Sequence, residues 1–206
     1  MAGRTMNNGI RPRLAVALAL LALAGACQRA PDTTAGTPPL AGAKLGGPFS
    51  LIDQDGRRVA DTAFAGRYRL IYFGYTYCPD VCPTGLQTLA KGLKAFEAAD
   101  PARAARVQPI FITVDPARDT PAVMKAYVAA FHPRLIGLTG TPAEIDAVSK
   151  RFAVFAQRRD DPGASGYLMD HSSQAMLFGP SGEPIALVPQ DETPADVART
   201  LQDWVR

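Results

Sequence analysis

Apolar and polar positions along this chain form blocks, and the period of each block predicts an element. "FSLIDQDGRRVA" (Phe49 to Ala60) alternates on both sides of Asp55-Gly56. It predicts a hairpin with a tight turn. "YRLIYFGY" (Tyr68 to Tyr75) and "VQPIFITV" (Val107 to Val114) are nearly continuous apolar runs rich in aromatic and β-branched residues. Such runs suit strands buried on both faces. Between them, Leu86, Leu89, Leu93 and Phe96 recur three or four apart and predict an amphipathic helix. Thr120-Pro121 opens a second helix with Val123, Met124, Tyr127 and Phe131, and "LIGLTG" reads as a short strand. In "TPAEIDAVSKRF", Thr141, Pro142 and Glu144 suit the N-cap, first turn and closing acid of a capping box. "AVFAQ" reads as a strand, "QAMLFGPSGEPIALV" as a hairpin around Pro180-Ser181-Gly182, and "TPADVARTLQDWV" as a closing helix.

Strands alternating with helices, closed by a hairpin and a helix, predict an α/β fold with a mixed central sheet flanked by helices and an N-terminal β-hairpin. The segment "YTYCPDVCPT" falls where a central strand passes into a helix. This is the thioredoxin-like arrangement. A cysteine beside a helix N-terminus meets partial positive charge from unpaired N–H groups, which favours thiolate. Pro83 suits the first turn, where its missing N–H is not needed. Cys78 and Cys82 are four apart, close enough on a helical turn to form a disulfide or to grip one metal ion. The bland reading, two buried structural cysteines, leaves the flanking prolines and Asp80 unexplained.

Two thiolates suit a soft metal and need a third ligand. The chain has two histidines. His132 follows Phe131 at a helix end, where it reads as a C-terminal cap or a surface residue. His171, in "YLMDHSSQAMLF", precedes the final hairpin. In a thioredoxin-like fold that segment lies against the cysteine turn, which makes His171 the candidate ligand. Asp80 reads either as a solvent-facing docking residue or as a turn former. Asp170 reads as a carboxylate able to orient His171. Asp119 or Thr120 reads as a helix cap, and Tyr75 and Tyr77 as core or site wall.

"YCPDVCP", "TVDPARDT" (Thr113 to Thr120, with Asp115 and Asp119) and "MDHSSQAMLFGPSG", in that order, resemble the Sco/SenC family of copper proteins. The resemblance covers the chain from about Pro48 to its end. It implies a thioredoxin-like fold and a copper site of two cysteines and one histidine, matching Cys78, Cys82 and His171. Cu(I) suits that soft donor set, and Cu(II) can use it with a further weak ligand. The implied role is delivery of copper to the binuclear centre of cytochrome c oxidase, reduction of the thiols there, or both. The implied partners are the copper-bearing oxidase subunit, other envelope copper chaperones and thioredoxin-like reductants. Cys78 and Cys82 would then double as a redox pair.

Rival readings use the same residues. A metal-independent thiol-disulfide oxidoreductase of this fold usually carries a cis-proline before the last hairpin. Here Asp170-His171-Ser172 stands there, with no proline between Gly163 and Gly179. A peroxidase would place a proton-managing Thr three residues before its cysteine, where Cys82 has Pro79 and Cys78 has Tyr75. A structural zinc site wants four protein ligands.

Charge and composition add the setting. Hydrophobic residues make up 47% and charged residues 20%, as in a soluble globular protein. The net charge of +3 resides in Arg4, Arg11 and Arg13, so the rest of the chain is neutral. That excludes the basic footprint nucleic acid requires. Those arginines precede "LAVALALLALAGA" (Leu14 to Ala26), an apolar run shorter than the roughly 20 residues of a spanning helix and suited to an export signal. "LAGAC" resembles a bacterial lipobox, with Ala24 where Leu is usual, and implies cleavage before Cys27 and lipid on its sulfur. Ordinary signal cleavage is the alternative. The expected organisation is a signal peptide over 1–26, a flexible tether over 27–47 rich in Pro, Gly, Thr and Ala, and a domain over 48–206. The expected location is the periplasmic side of the cell envelope, at the membrane.

Overall fold

The computed structural model describes Met1, Gly3 and residues 36–161 and 166–206. The signal segment and Cys27 lie outside the described residues. Strands β1 (Ser50–Asp53) and β2 (Arg58–Ala60) form the N-terminal hairpin, and Gly56 supplies the positive φ its turn requires. A 3₁₀ turn (Asp61–Phe64) leads to β3 (Tyr68–Gly74), which is buried along its whole length. Then follow α1 (Val81–Ala99), the short α2 (Pro101–Ala104), β4 (Val107–Thr113), α3 (Pro121–Ala129), β5 (Ile136–Thr139) and α4 (Pro142–Arg151). Strands β6 (Ala156–Asp161), β7 (Gly166–His171), β8 (Ala175–Phe178) and β9 (Pro184–Val188) precede α5 (Pro194–Trp204).

Seven strands form one sheet in the order β2-β1-β5-β4-β3-β8-β9. Strands β3, β4 and β5 run parallel, and the others join antiparallel. Strand alternation splits the core in two. Leu70 and Tyr72 of β3 and Phe111 of β4 face Leu89, Leu93 and Phe96 of α1, Met124 of α3 and Leu201 of α5. Ile71, Phe73, Ile110 and Ile112 face the other way, onto Ile145 and Val148 of α4 and Phe49 and Leu51 of the N-terminal segment. This two-sided burial explains why β3 and β4 read as unbroken apolar runs.

The helix starts follow their caps. Thr141 with Glu144, and Thr193 with Asp196, form capping boxes with Pro at the first helical position. Residues 38–47, which read as tether by composition, lie against the domain. The Leu40 N–H donates to the Ile185 carbonyl and the Gly46 N–H to the Arg151 carbonyl, each at 2.9 Å. A Cβ on Gly46 would lie 2.8 Å from the Phe178 ring, so glycine lets the segment approach. Among the described residues no helix is long and apolar enough to cross a membrane.

Candidate metal centre

Strands β3 and β4 end on the same side of the sheet, and the loop after β3 carries the cysteines. Cys78 precedes α1 and Cys82 lies in its first turn. The Cys82 N–H points at Cys78 Sγ at 3.4 Å, as expected of a thiolate beside unpaired helix donors. Cys82 is fully buried and Cys78 half-buried. A Cβ on Gly74 would lie 3.0 Å from Cys82 Sγ and 2.9 Å from the Phe111 ring, so glycine at the end of β3 makes room for the sulfur.

His171 ends β7, the second strand of a two-stranded sheet with β6 that stands apart from the main sheet. Its Nε2 lies 3.1 Å from Cys82 Sγ. Its Nδ1 lies 2.7 Å from the Ser172 carbonyl. A carbonyl accepts only, so Nδ1 carries the proton and Nε2 presents a lone pair to the sulfurs. The ligand atoms of Cys78, Cys82 and His171 all lie within 4.8 Å of one another. Tyr75, buried, sets its ring edge-on to the imidazole at 5.7 Å between centroids.

The two thiols are unequal. The Cys82 thiol first, then the backbone N–H groups of Asp80 and Cys82, outweigh burial and hold the Cys78 thiol down to about 4. The neighbouring Cys78 and burial push Cys82 up, so it keeps its proton. The pair is one half-buried thiolate beside one buried thiol.

The other candidate residues fall differently. Asp170 does not orient His171. It points to the opposite face of β7 and meets Arg159 at 3.2 Å, while the Ser172 carbonyl holds the imidazole. Asp80 is exposed at the N-cap position of α1, and its side chain makes no cap bond. Thr120 caps α3, accepting from the Val123 N–H. Asp119 is no cap. It is buried and accepts from the Thr76 N–H (3.1 Å), the Thr76 hydroxyl (2.6 Å) and the Thr113 hydroxyl (2.5 Å). It thereby ties the cysteine loop to β4, and burial raises its pKa. Tyr77 is 48% exposed and stands at the rim. His132 is far from a surface residue at 3% exposure. Its Nδ1 accepts from the Arg134 N–H and its Nε2 meets Glu97 at 3.3 Å, at the opposite end of the sheet from the cysteines.

The comparisons with known proteins agree with this geometry. The SCO1/SenC family model matches residues 37–206. The protein sco1 of Schizosaccharomyces pombe is 42% identical over 163 residues, covering 78% of this chain and 61% of that protein. The chain therefore spans about three fifths of that relative's length. The structure of Bradyrhizobium japonicum ScoI with copper bound superposes with a TM-score of 0.70 at 41% identity, over 78% of this chain and 99% of that one. The thioredoxin domain of a thiol-disulfide oxidoreductase from Bacteroides vulgatus superposes with a TM-score of 0.54 at 15% identity, over 79% of this chain and 96% of that one. This last likeness is one of fold alone, and the fold is thioredoxin-like.

Proposed function

The chain belongs to the SCO1/SenC family, and from that premise we propose that it is an exported copper chaperone serving the binuclear copper site of cytochrome c oxidase. One observation carries the reading: two sulfurs and one imidazole nitrogen within 4.8 Å of one another, with the imidazole tautomer already set for ligation. Cu(I) is soft and suits thiolate and imidazole donors. Cys78, Cys82 and His171 hold it as cargo. Cys78 and His171, both half-buried, offer the donors that a recipient's ligands can reach, while the buried Cys82 holds from below. Copper release then needs no movement of the sheet.

The unequal thiols favour a second role, reduction of the recipient's cysteines. The Cys78 thiolate attacks one sulfur of a partner disulfide, and the other partner sulfur leaves and takes a proton. Cys82 gives up its proton and attacks Cys78, releasing the first partner sulfur as thiol. The partner gains two electrons and this chain ends with a Cys78–Cys82 disulfide, so the two roles exclude each other on one molecule at one time. The exposed Asp80 stands at the face that a partner would meet.

Copper titration with X-ray absorption tests the reading. The reduced protein binds one Cu(I) per chain with sulfur and imidazole scattering. His171→Ala weakens binding. The oxidised protein, verified by mass to carry the disulfide, binds at least a hundredfold less tightly, because both thiolates are consumed. Absence of Cu–S scattering in the loaded protein would overturn the reading.

A further inference from the structure

The hairpin that delivers His171 is a two-stranded sheet that, among the described residues, no backbone ladder joins to the main sheet. An isolated hairpin is marginal in water. The position of the imidazole therefore depends on side chains that dock the hairpin. Tyr167, Met169 and His171 share one face of β7. Met169 packs on the core, and Tyr167 meets Arg118.

Arg118 makes an unusual set of contacts. Its Nε donates to Asp115 Oδ2 at 2.5 Å, and its Nη1 donates to the Tyr167 carbonyl at 3.1 Å. Its guanidinium carbon stands 3.6 Å from the Tyr167 ring centroid and 4.7 Å from that of Tyr77, the residue before Cys78. The Tyr167 hydroxyl closes the circuit by donating to Asp115 Oδ1 at 2.9 Å. The guanidinium thus touches both the cysteine loop and the histidine hairpin. Its plane stacks on Tyr167 while its Nε and Nη1 both donate, a combination a lysine cannot reproduce.

We propose that Arg118 is a positioning residue for His171: by gripping Tyr167 and Tyr77 at once, it holds the hairpin where the imidazole reaches the two sulfurs. The inference rests on the copper reading for its metal-based test and stands independently of it in the metal-free protein. When Arg118 is shortened, the thiols stay where α1 and Asp119 hold them, and the imidazole becomes a part-time ligand.

The test uses the full-length reduced protein with Cu(I) alone, comparing wild type, Arg118→Lys, Tyr167→Leu and each in the His171→Ala background. Tyr167→Leu leaves the Arg118–Asp115 pair intact, so it guards against failure of Arg118→Lys to fold. Both variants should weaken Cu(I) about tenfold, as changes to outer supports of a ligand commonly do, and should lose imidazole scattering while keeping sulfur scattering. In the His171→Ala background neither should weaken it further, because the effect runs through the imidazole. In the metal-free protein, the shift that the Tyr75 ring imposes on the His171 ring protons should shrink, and hairpin amides should exchange faster. An equal loss of affinity in the His171→Ala background, or an unchanged imidazole signal in both variants, would overturn the proposal. Wild-type protein without Cu–S scattering would overturn the copper reading instead, and the metal-free signals would still judge Arg118.

Discussion

Each histidine illustrates how little a residue type says without its surroundings. His171 is half-buried with its Nε2 turned to the Cys82 sulfur, while His132 is buried with both nitrogens engaged by Glu97 and the Arg134 N–H. Burial depresses the His132 pKa by more than the Glu97 carboxylate raises it. A group whose folded pKa is depressed contributes stability above its unfolded pKa, and that contribution is lost as pH falls through the folded pKa. His132→Ala should therefore destabilise the protein by about 1–3 kcal/mol at pH 8, the usual cost of stranding buried partners. The gap between wild type and variant should shrink below the ordinary histidine value of 6.5. Urea unfolding at pH 8 and pH 5.5 measures this, and a gap that widens on acidification contradicts it. Copper affinity at pH 8 should match wild type. Cys78 and Cys82 were readable from sequence because a helix start and a four-residue spacing are local facts. The roles of Asp119 and Arg118 were not. Their partners, Thr76 and Tyr167, lie 43 and 49 residues away, and no periodicity records such contacts. Asp170 failed for a local reason, since neighbours on a strand face opposite ways.

Among the elements, those whose hydrophobic pattern matches their burial are legible in the sequence. The buried strands β3 and β4 and the capped helices fall in this class. Strand β7 carries no such pattern, although His171, which it presents, is marked by its chemistry. Strand β6 is exposed where described and β7 is at most half-buried, "AQRRDD" carries charge on both faces, and no alternation marks a half-buried strand. Close packing between elements was equally silent in the sequence. A Cβ on Gly92 of α1 would lie 2.4 Å from Val197 Cγ1 and 2.8 Å from the Pro194 carbonyl oxygen. Helix propensity favours alanine over glycine by about 1 kcal/mol, and overpacking costs about 1–3 kcal/mol. The second term wins here because a backbone carbonyl cannot rotate away. Gly92→Ala should lower Tm by several degrees and leave copper affinity intact, since the α1–α5 contact lies away from the helix N-terminus. A raised Tm in calorimetry would mean that α5 yields without cost.

At the scale of the molecule, the proposed delivery role turns on how the cysteine loop would meet a recipient at a membrane. Docking of residues 38–47 on the domain halves the stretch that composition offers as a tether, leaving only about ten residues of sequence between Cys27 and the first anchored position. If that stretch acts as the flexible tether its composition implies, it would span roughly 16–19 Å root-mean-square, against roughly 22–27 Å for twenty residues. With lipid on Cys27, such a leash would hold the domain close to the bilayer and restrict which face looks outward. Lipid would also mask the one further thiol able to scramble the Cys78–Cys82 pair. Cys27→Ser should therefore release the domain from the membrane fraction or block its processing. The purified protein should keep its copper affinity, because the three donors belong to the folded domain. In cells, the released form should support oxidase activity less well than wild type when copper is scarce and almost equally when it is plentiful, as expected if the leash raises local concentration rather than building the site. Fractionation with an oxidase assay at low and high copper decides this. Mature protein in the cytoplasm would defeat the export reading, and an oxidase indifferent to deletion of the whole chain at every copper level would defeat the delivery reading with it.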